Sequence, residues 1–175
     1  GDSWNNSLSM QDADVLIEGH IDKYLGSQAT CGDVDGDGAQ DLLVGRTAYD
    51  MFIGGQEVLW SDVGLLIYSG TSLAGASNLD ETDADLSLTF DPGQDYFHAY
   101  STPFWVADID ADGEDEVMLY MKADKYNGLT QAPDADGKLW VLDNLALDAG
   151  LTEQPMEDYV SLRIAGDGDD ALSDV

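Results

Sequence analysis

A nine-residue acidic segment occurs twice in the sequence. The first copy is Asp33–Asp41 (DVDGDGAQD), and the second copy, Asp108–Glu116 (DIDADGEDE), begins 75 residues later. Both copies carry carboxylates at positions 1, 3, 5 and 9 and a glycine at position 6. Carboxylate oxygens are the ligands that calcium prefers, and glycine permits the sharp turn that such a loop needs. The repeated segment therefore predicts two calcium-binding loops.

Electrostatic repulsion supports this interpretation. Two unit charges about 4 Å apart repel by roughly 4 kcal/mol at an effective dielectric constant near 20. Four carboxylates within nine residues would therefore resist closing into a loop without a divalent cation. The alternative is a solvated acidic turn, since Asp and Gly are ordinary turn residues. The recurrence of the same spacing and the same flanks favours calcium.

The residues around each loop are typical of strands. An EF-hand would need flanking helices and a carboxylate at position 12, where this chain has Val44 and Leu119. Short apolar runs follow both loops, Asp41–Gly45 in the first copy and Glu116–Tyr120 in the second, and strand-like segments precede them. Each loop is therefore expected to join two β-strands.

The first loop and its flanks, Leu25–Thr47, resemble an FG-GAP repeat, the unit of the β-propeller in integrin α chains and many bacterial surface proteins. Leu25-Gly26 stands where the family has Phe-Gly, and Gly45–Thr47 stands where it has Gly-Ala-Pro. The second copy departs further, with Tyr100-Ser101 and Tyr120–Lys122 at those places, but its acidic loop is intact. The resemblance covers most of the chain, and the loop is its most specific part.

The resemblance implies a set of calcium ligands in each loop. The implied side-chain ligands are Asp33, Asp35, Asp37 and Asp41 in the first loop and Asp108, Asp110, Asp112 and Glu116 in the second. The main-chain carbonyls of Ala39 and Glu114 would complete the two shells. A degenerate third copy, with Asp167, Asp169 and Asp174, is one residue short in its spacing, and the sequence leaves calcium binding there open.

We expect an all-β fold of propeller-type blades, each with about four antiparallel strands. The predicted region spans residues 1–175, with one unit at about 12–80, a second at about 81–155 and the start of a third at 156–175. A closed propeller has at least four blades. The chain is therefore expected to be an incomplete propeller or a fragment of a larger one.

The composition narrows the class of partner. The chain has 6 basic and 36 acidic residues, a formal net charge of −30. Nucleic acids and anionic membranes recognise basic surfaces, so neither is expected as a partner. The sequence contains no apolar run long enough to cross a membrane, so no membrane insertion is predicted. The chain has a single cysteine, Cys31, so it cannot form an internal disulfide. In a secreted chain, bound calcium could provide the stabilisation that disulfides usually provide.

Enzymatic chemistry finds little support. Cys31 with His20 or His98 could be imagined as a nucleophile and base, but no third orienting group is apparent. Cys31 is interpreted as a small buried residue of an apolar strand. The tryptophans could form a sugar-stacking face, although Trp105 and Trp140 lie in strand-like segments and are expected in the core. We expect no catalytic site.

These observations predict a calcium-binding, extracellular or cell-surface module with a structural or adhesive role. Its partner would be a protein or glycan ligand, or other copies of the chain. One alternative is a structural subunit of an extracellular fibre or surface layer. Another is the non-catalytic part of a secreted hydrolase, since FG-GAP-like blades accompany some enzymes.

Overall fold

The computed structural model of the protein describes most of both repeats. The described residues are 13–19, 25–46, 51–53, 56–58, 64–89, 104–122, 126–127, 130–131, 137–147 and 152–165. They form strands in several sheets, together with one short helix and two 3-10 turns, and none of the sheets closes on itself. The expected all-β class is confirmed.

The strands and the helix follow one another along the chain with these bounds: β1 Leu16–Glu18, β2 Leu25–Gly32, β3 Asp41–Arg46, β4 Met51–Ile53, β5 Gln56–Val58, β6 Gly64–Tyr68, α1 Gly70–Leu73, β7 Asn78–Asp80, β8 Leu86–Thr89, β9 Phe104–Ala107, β10 Glu116–Lys122, β11 Tyr126–Asn127, β12 Thr130–Gln131, β13 Gly137–Leu142, β14 Thr152–Pro155 and β15 Val160–Ala165. The 3-10 turns cover Glu81–Asp83 and Met156–Tyr159. No helix among the described residues is long and apolar enough to cross a membrane.

Two sheets carry the acidic loops. In the first sheet, β2, β3, β6 and β8 lie side by side in chain order, each antiparallel to the next, and β14 adds in parallel beyond β8. In the second sheet, β9, β10, β13 and β15 repeat the same order. In each case the acidic loop is the first hairpin connection. The repeated sequence therefore forms a repeated four-stranded meander.

The fourth strand of each sheet comes from a part of the chain that the sequence analysis assigned to the following unit. Leu86–Thr89, assigned to the second unit, is the fourth strand of the first sheet. Val160–Ala165, placed at the start of a third unit, is the fourth strand of the second sheet. Leu16–Glu18 lies outside both of these sheets and pairs in parallel with Asn78–Asp80.

The second sheet packs on one face of the first. We call the face of the first sheet that carries Leu43 its front face. Its apolar residues Leu43, Leu65, Ile67, Leu86 and Leu88 are buried. They share one core with the second sheet's Phe104, Val117, Leu119, Trp140 and Leu142. Strand alternation explains the pattern, because every second residue of each strand points to the same side.

The back face of the first sheet is also covered. Its residues Val44, Leu66 and Tyr68 form a second core with Ala84. Side chains from β1, α1 and β7 pack against this core, among them Ile17 and Leu73. The first sheet is therefore apolar on both faces, as its nearly continuous hydrophobic strands require.

Candidate metal centre

The first acidic loop connects β2 to β3 and turns sharply at two glycines. Gly36 and Gly38 have φ values of 70° and 87°, in the left-handed region that favours glycine. The side chain of Asp33 accepts a hydrogen bond from the Gly38 N–H at 2.9 Å. Asp35 and Asp37 each accept one from the N–H two residues on, at 3.1 and 2.7 Å. These bonds hold the alternating carboxylates on the inner side of the turn.

Three carboxylates of this loop converge. Oxygen atoms of Asp33, Asp35 and Asp37 all lie within 4.8 Å of one another. Calcium binds oxygen at about 2.3–2.6 Å, so oxygens that share one ion lie within roughly 5 Å of each other. The Oδ1 atom of Asp33 is buried and has no hydrogen-bond partner among the described residues. A bound cation would satisfy that atom.

Asp41, the fourth predicted side-chain ligand of the first loop, has a different set of contacts. It is fully buried. Its Oδ2 accepts from the Val34 N–H at 3.0 Å, and its Oδ1 accepts from the Gly70 N–H at 2.9 Å. Both oxygens are thus engaged with backbone donors, and Asp41 ties the loop to the start of α1. It does not belong to the group of three converging carboxylates.

The second loop connects β9 to β10 and gathers a different trio. Oxygens of Asp108, Asp110 and Glu116 lie within 4.8 Å of one another. Glu116 occupies the place of Asp41, and its Oε2 accepts from the Ile109 N–H at 2.8 Å. Its Oε1 is buried without a hydrogen-bond partner among the described residues. Glu116 is only 3% exposed, so a buried carboxylate with one unpartnered oxygen belongs to this cluster of carboxylates.

The structure gives less support to the remaining predicted ligands. Asp112 lies in the loop, where its Oδ1 accepts from the Glu114 N–H at 2.9 Å, but it is not part of the converging trio. Ala39 and Glu114 occupy the expected loop positions. The third candidate group, Asp167, Asp169 and Asp174, lies outside the described residues. It follows β15, the fourth strand of its sheet, whereas both described loops follow a first strand.

Burial raises the pKa of carboxylates in both loops. Removal from water is the largest cause for Asp35, Asp41 and Glu116, since it disfavours the charged form. Neighbouring aspartates add to the effect: Asp37 repels the charge on Asp35, and Asp110 repels the charge on Glu116. Backbone donors oppose the shift without cancelling it. Both loops thus concentrate negative charge that a cation would relieve.

The two loops contact each other directly. The Asp33 N–H donates to Oδ2 of Asp115 at 2.8 Å, and the Asp115 N–H donates to the Asp33 carbonyl at 2.7 Å. On β2, before the first loop, the Gln28 side chain donates a hydrogen bond to the Phe104 carbonyl at 2.6 Å and accepts one from the Phe104 N–H at 3.2 Å. The hairpins therefore form one unit. The sequence did not predict this junction, because Gln28 and Asp115 are not part of the carboxylate pattern.

The other residues weighed for chemistry do not form a site among the described residues. Cys31 is exposed on the edge strand β2, which corrects its interpretation as a buried residue. Trp140 is in the core as expected, but Trp105 is 52% exposed, because it alternates with buried Phe104 on β9. His20, His98, Trp4 and Trp60 lie outside the described residues.

In comparisons with known proteins, no family model, no curated protein and no solved structure matched the chain.

Proposed function

We propose that the protein is a calcium-binding structural or adhesive module in which one ion in each acidic hairpin loop stabilises the paired meanders. The observation that carries this proposal is that buried Glu116 converges with Asp108 and Asp110 and has one oxygen, Oε1, without a hydrogen-bond partner among the described residues. An uncompensated buried carboxylate is costly, and a metal ion is one of the few partners that offsets the cost. Asp33 Oδ1 supplies the same argument in the first loop.

A site whose donors are all carboxylate oxygens suits calcium better than it suits softer transition metals. Both loops bend sharply at residues with positive φ, among them Gly36 and Ala111. Glu116 opens β10 and belongs to the second cluster, so an ion there would tie the second loop to its sheet. The proposed architecture is a pair of propeller-type blades. It is supported by the two four-stranded meanders in chain order with their first strands side by side. Partner binding, by a protein or glycan, would then use the loops around the acidic edge.

An extracellular or cell-surface location belongs to the same proposal. Calcium modules of extracellular proteins bind with dissociation constants of about 10⁻⁴–10⁻³ M, which suits an environment rich in calcium. The net charge of −30 also disfavours nucleic-acid partners. The proposed role is non-catalytic, because the polar groups that converge in the described residues are acceptors suited to a cation.

Calcium titration of the full chain by calorimetry, with the melting temperature followed in parallel, tests this function. We expect two binding events and a higher melting temperature with calcium. In Glu116→Gln one event should be lost or weakened by at least about tenfold, as for the removal of a charged ligand. In chelator the same variant should be as stable as the parent or more stable, because it no longer buries an unpaired charge.

Glu153→Gln is the matched control, since it makes the same change on an exposed residue of β14. It should bind and melt like the parent. An unchanged melting temperature in calcium and in excess chelator would contradict the proposal. So would equal calcium binding by Glu116→Gln and Glu153→Gln.

A further inference from the structure

The two sheets share one strand register, so residues of the second sheet can be matched to residues of the first. Leu42 pairs with Tyr68 in the first sheet, as Val117 pairs with Leu142 in the second. Leu42 and Val117 each come directly after the last carboxylate of an acidic loop. The match therefore identifies the residue that lies opposite each of these last carboxylates on the neighbouring strand.

Asp143 is the residue opposite Glu116. It directly follows β13, and one step beyond the pair Val117–Leu142 the antiparallel register places it across from Glu116. Residues opposite each other in such a pair have Cβ atoms about 4.5–5.5 Å apart and point to the same side of the sheet. On its other side, the Asp143 N–H donates to the Tyr159 carbonyl at 3.1 Å. Asp143 thus lies beside the second loop although it is not part of the repeated segment.

The first sheet differs at the corresponding place. There the residue opposite Asp41 is the neutral Ser69, whose side chain caps α1. The next residue, Gly70, donates its N–H to Oδ1 of Asp41 at 2.9 Å. Asp41 is therefore satisfied by backbone donors and lies opposite an uncharged side chain.

Glu116 has the reverse surroundings. Its side chain is buried, and its Oε1 has no hydrogen-bond partner among the described residues. Asp143 adds a like charge across the strand pair, and like charges directly opposite each other are destabilising. After burial, which is the largest cause, and Asp110, the charge on Asp143 also raises the pKa of Glu116. Two carboxylates held together in this way require a cation nearby.

The described side chains do not supply this cation. The ion pair that they form joins Arg46 to Glu81. The whole chain has only 6 Lys and Arg residues against 36 Asp and Glu residues. A metal ion is the remaining partner, and the ion proposed for the cluster of Asp108, Asp110 and Glu116 is already adjacent.

We propose that Asp143 is a further ligand of the calcium ion in the second loop, contributed from the end of the neighbouring strand. This inference rests on the function proposed above. Calcium takes six to eight oxygen ligands, so three converging carboxylates leave positions open. Asp143 lies outside the group of oxygens within 4.8 Å of one another. Its side chain is only half-buried, however, and a partly exposed side chain changes rotamer readily.

The two sites should therefore differ in affinity. The second ion would be held by four carboxylates, whereas the converging group of the first loop has three, Asp33, Asp35 and Asp37. Calcium affinity depends on the number of charged ligands. We expect the second loop to bind calcium more tightly than the first, and Asp143 to account for the difference.

Calcium titration of the full chain by calorimetry tests the role of Asp143. The parent should show two events of unequal affinity, the tighter of which is the one affected by Glu116→Gln. Asp143→Asn should weaken this event by about 10–100-fold, as substitutions around a metal site usually do, and leave the other event unchanged. Asp158→Asn is the matched control, because it removes the same charge from an exposed residue of the same repeat. It should bind calcium like the parent.

The melting temperature separates a ligand from a residue that merely supports the fold. In excess chelator, Asp143→Asn should be as stable as the parent or more stable, because it removes a like charge from beside Glu116. In calcium, the same variant should be less stable than the parent. A loss of stability of equal size in both conditions would assign Asp143 a structural role and overturn the proposal.

A double variant tests whether both carboxylates act on one ion. Adding Asp143→Asn to Glu116→Gln should leave the unaffected event as it is, because the two changes concern the same site. Weakening of that event would overturn the proposal. If the parent binds two ions and Asp143→Asn binds them like Asp158→Asn, this inference alone is wrong. If the parent binds no calcium, the proposed function is wrong as well.

Discussion

Gly32 shows how tightly the two hairpins approach each other. A Cβ atom at this position would lie 2.1 Å from Cγ1 of Val106 and 2.9 Å from an Asp115 carboxylate oxygen. Real contacts of Cβ atoms are never so short, so the junction excludes any larger residue without movement. Glycine is required here by proximity to the other hairpin, whereas at Gly38 it is favoured by a positive φ.

Gly32→Ala should lower the free energy of unfolding by about 1–3 kcal/mol, the usual cost of overpacking. Urea denaturation measures the change. Val106→Ala removes the methyl group that collides, so the double variant should lose less stability than the sum of the two single variants. Strict additivity would show that the two residues do not meet.

The raised pKa values of Asp35, Asp41 and Glu116 predict that the melting temperature depends on pH. A carboxylate with a raised folded pKa contributes stability that is present below its ordinary value, 3.8 for Asp and 4.5 for Glu, and that is lost as the pH rises through the folded value. In chelator, the melting temperature should therefore fall as the pH rises above 3.8 for the aspartates and above 4.5 for Glu116.

Calcium competes with protons for these oxygens, so calcium affinity should rise over the same pH range. Thermal melts and calcium titrations at each pH measure the two trends. In chelator, Glu116→Gln should show a shallower decline than the parent. A melting temperature that rises with pH in chelator would contradict the assigned burial of these carboxylates.

The local part of the candidate site could be predicted from the sequence. Alternating carboxylates and short apolar flanks are local signals, and they predicted both hairpin loops and the adjoining strands. The different roles of Asp41, whose oxygens accept from backbone donors, and of Glu116, which joins a carboxylate cluster, could not be predicted. The role of Asp41 depends on the Gly70 N–H, which lies 29 residues away in the sequence.

At the scale of elements, Gln28 joins two edge strands that do not pair as a ladder. Its side-chain amide both donates to and accepts from the backbone of Phe104. The amide thus makes the two backbone hydrogen bonds that a neighbouring strand would otherwise make to one residue of β9. Asp115 does the same for Asp33 in the loop.

Gln28→Ala should destabilise the chain by about 1–3 kcal/mol, because it leaves partly buried backbone groups of Phe104 without partners. Gln40→Ala is the control, since Gln40 is exposed in the first loop, and a surface change of this kind is usually within about 0.5 kcal/mol. Urea denaturation compares the two variants. Equal stability would show that the Gln28 bridge contributes nothing to the junction.

The pairing of distant strands was beyond the reach of sequence reasoning. β8 joins the first sheet through Leu86 and Ile67, and β14 then pairs with β8 across more than sixty residues of chain. An apolar run indicates a strand but not its neighbour, since pairing partners are chosen by tertiary packing. The exposed position of Trp105 has the same origin, because alternation shows two faces without showing which one is covered.

At the scale of the whole molecule, charge opposes compaction. A formal net charge of −30 on 175 residues repels itself throughout the fold. Ten of the 36 acidic residues lie in the two neighbouring loops. Cations, whether bound or diffuse, are therefore expected to control stability more than in an ordinary domain.

In chelator, raising sodium chloride from about 0.1 M to about 1 M should raise the melting temperature, because the screening length falls from about 10 Å to about 3 Å. With calcium bound the same change in salt should have a smaller effect, since two calcium ions would offset four of the ten negative charges in the loops. An uncharged osmolyte at equal osmolality is the control for excluded-solute effects. If salt raised the melting temperature equally with and without calcium, the repulsion would not be located mainly in the loops.

Among the described residues, the parallel pair β1–β7 and the helix α1 pack on the back of the first sheet. Side chains of this layer, among them Ile17 and Leu73, contact the buried cluster of Val44, Leu66 and Tyr68. A chain that lost β1 would present part of this apolar face to water, and a contiguous exposed apolar face favours association between molecules.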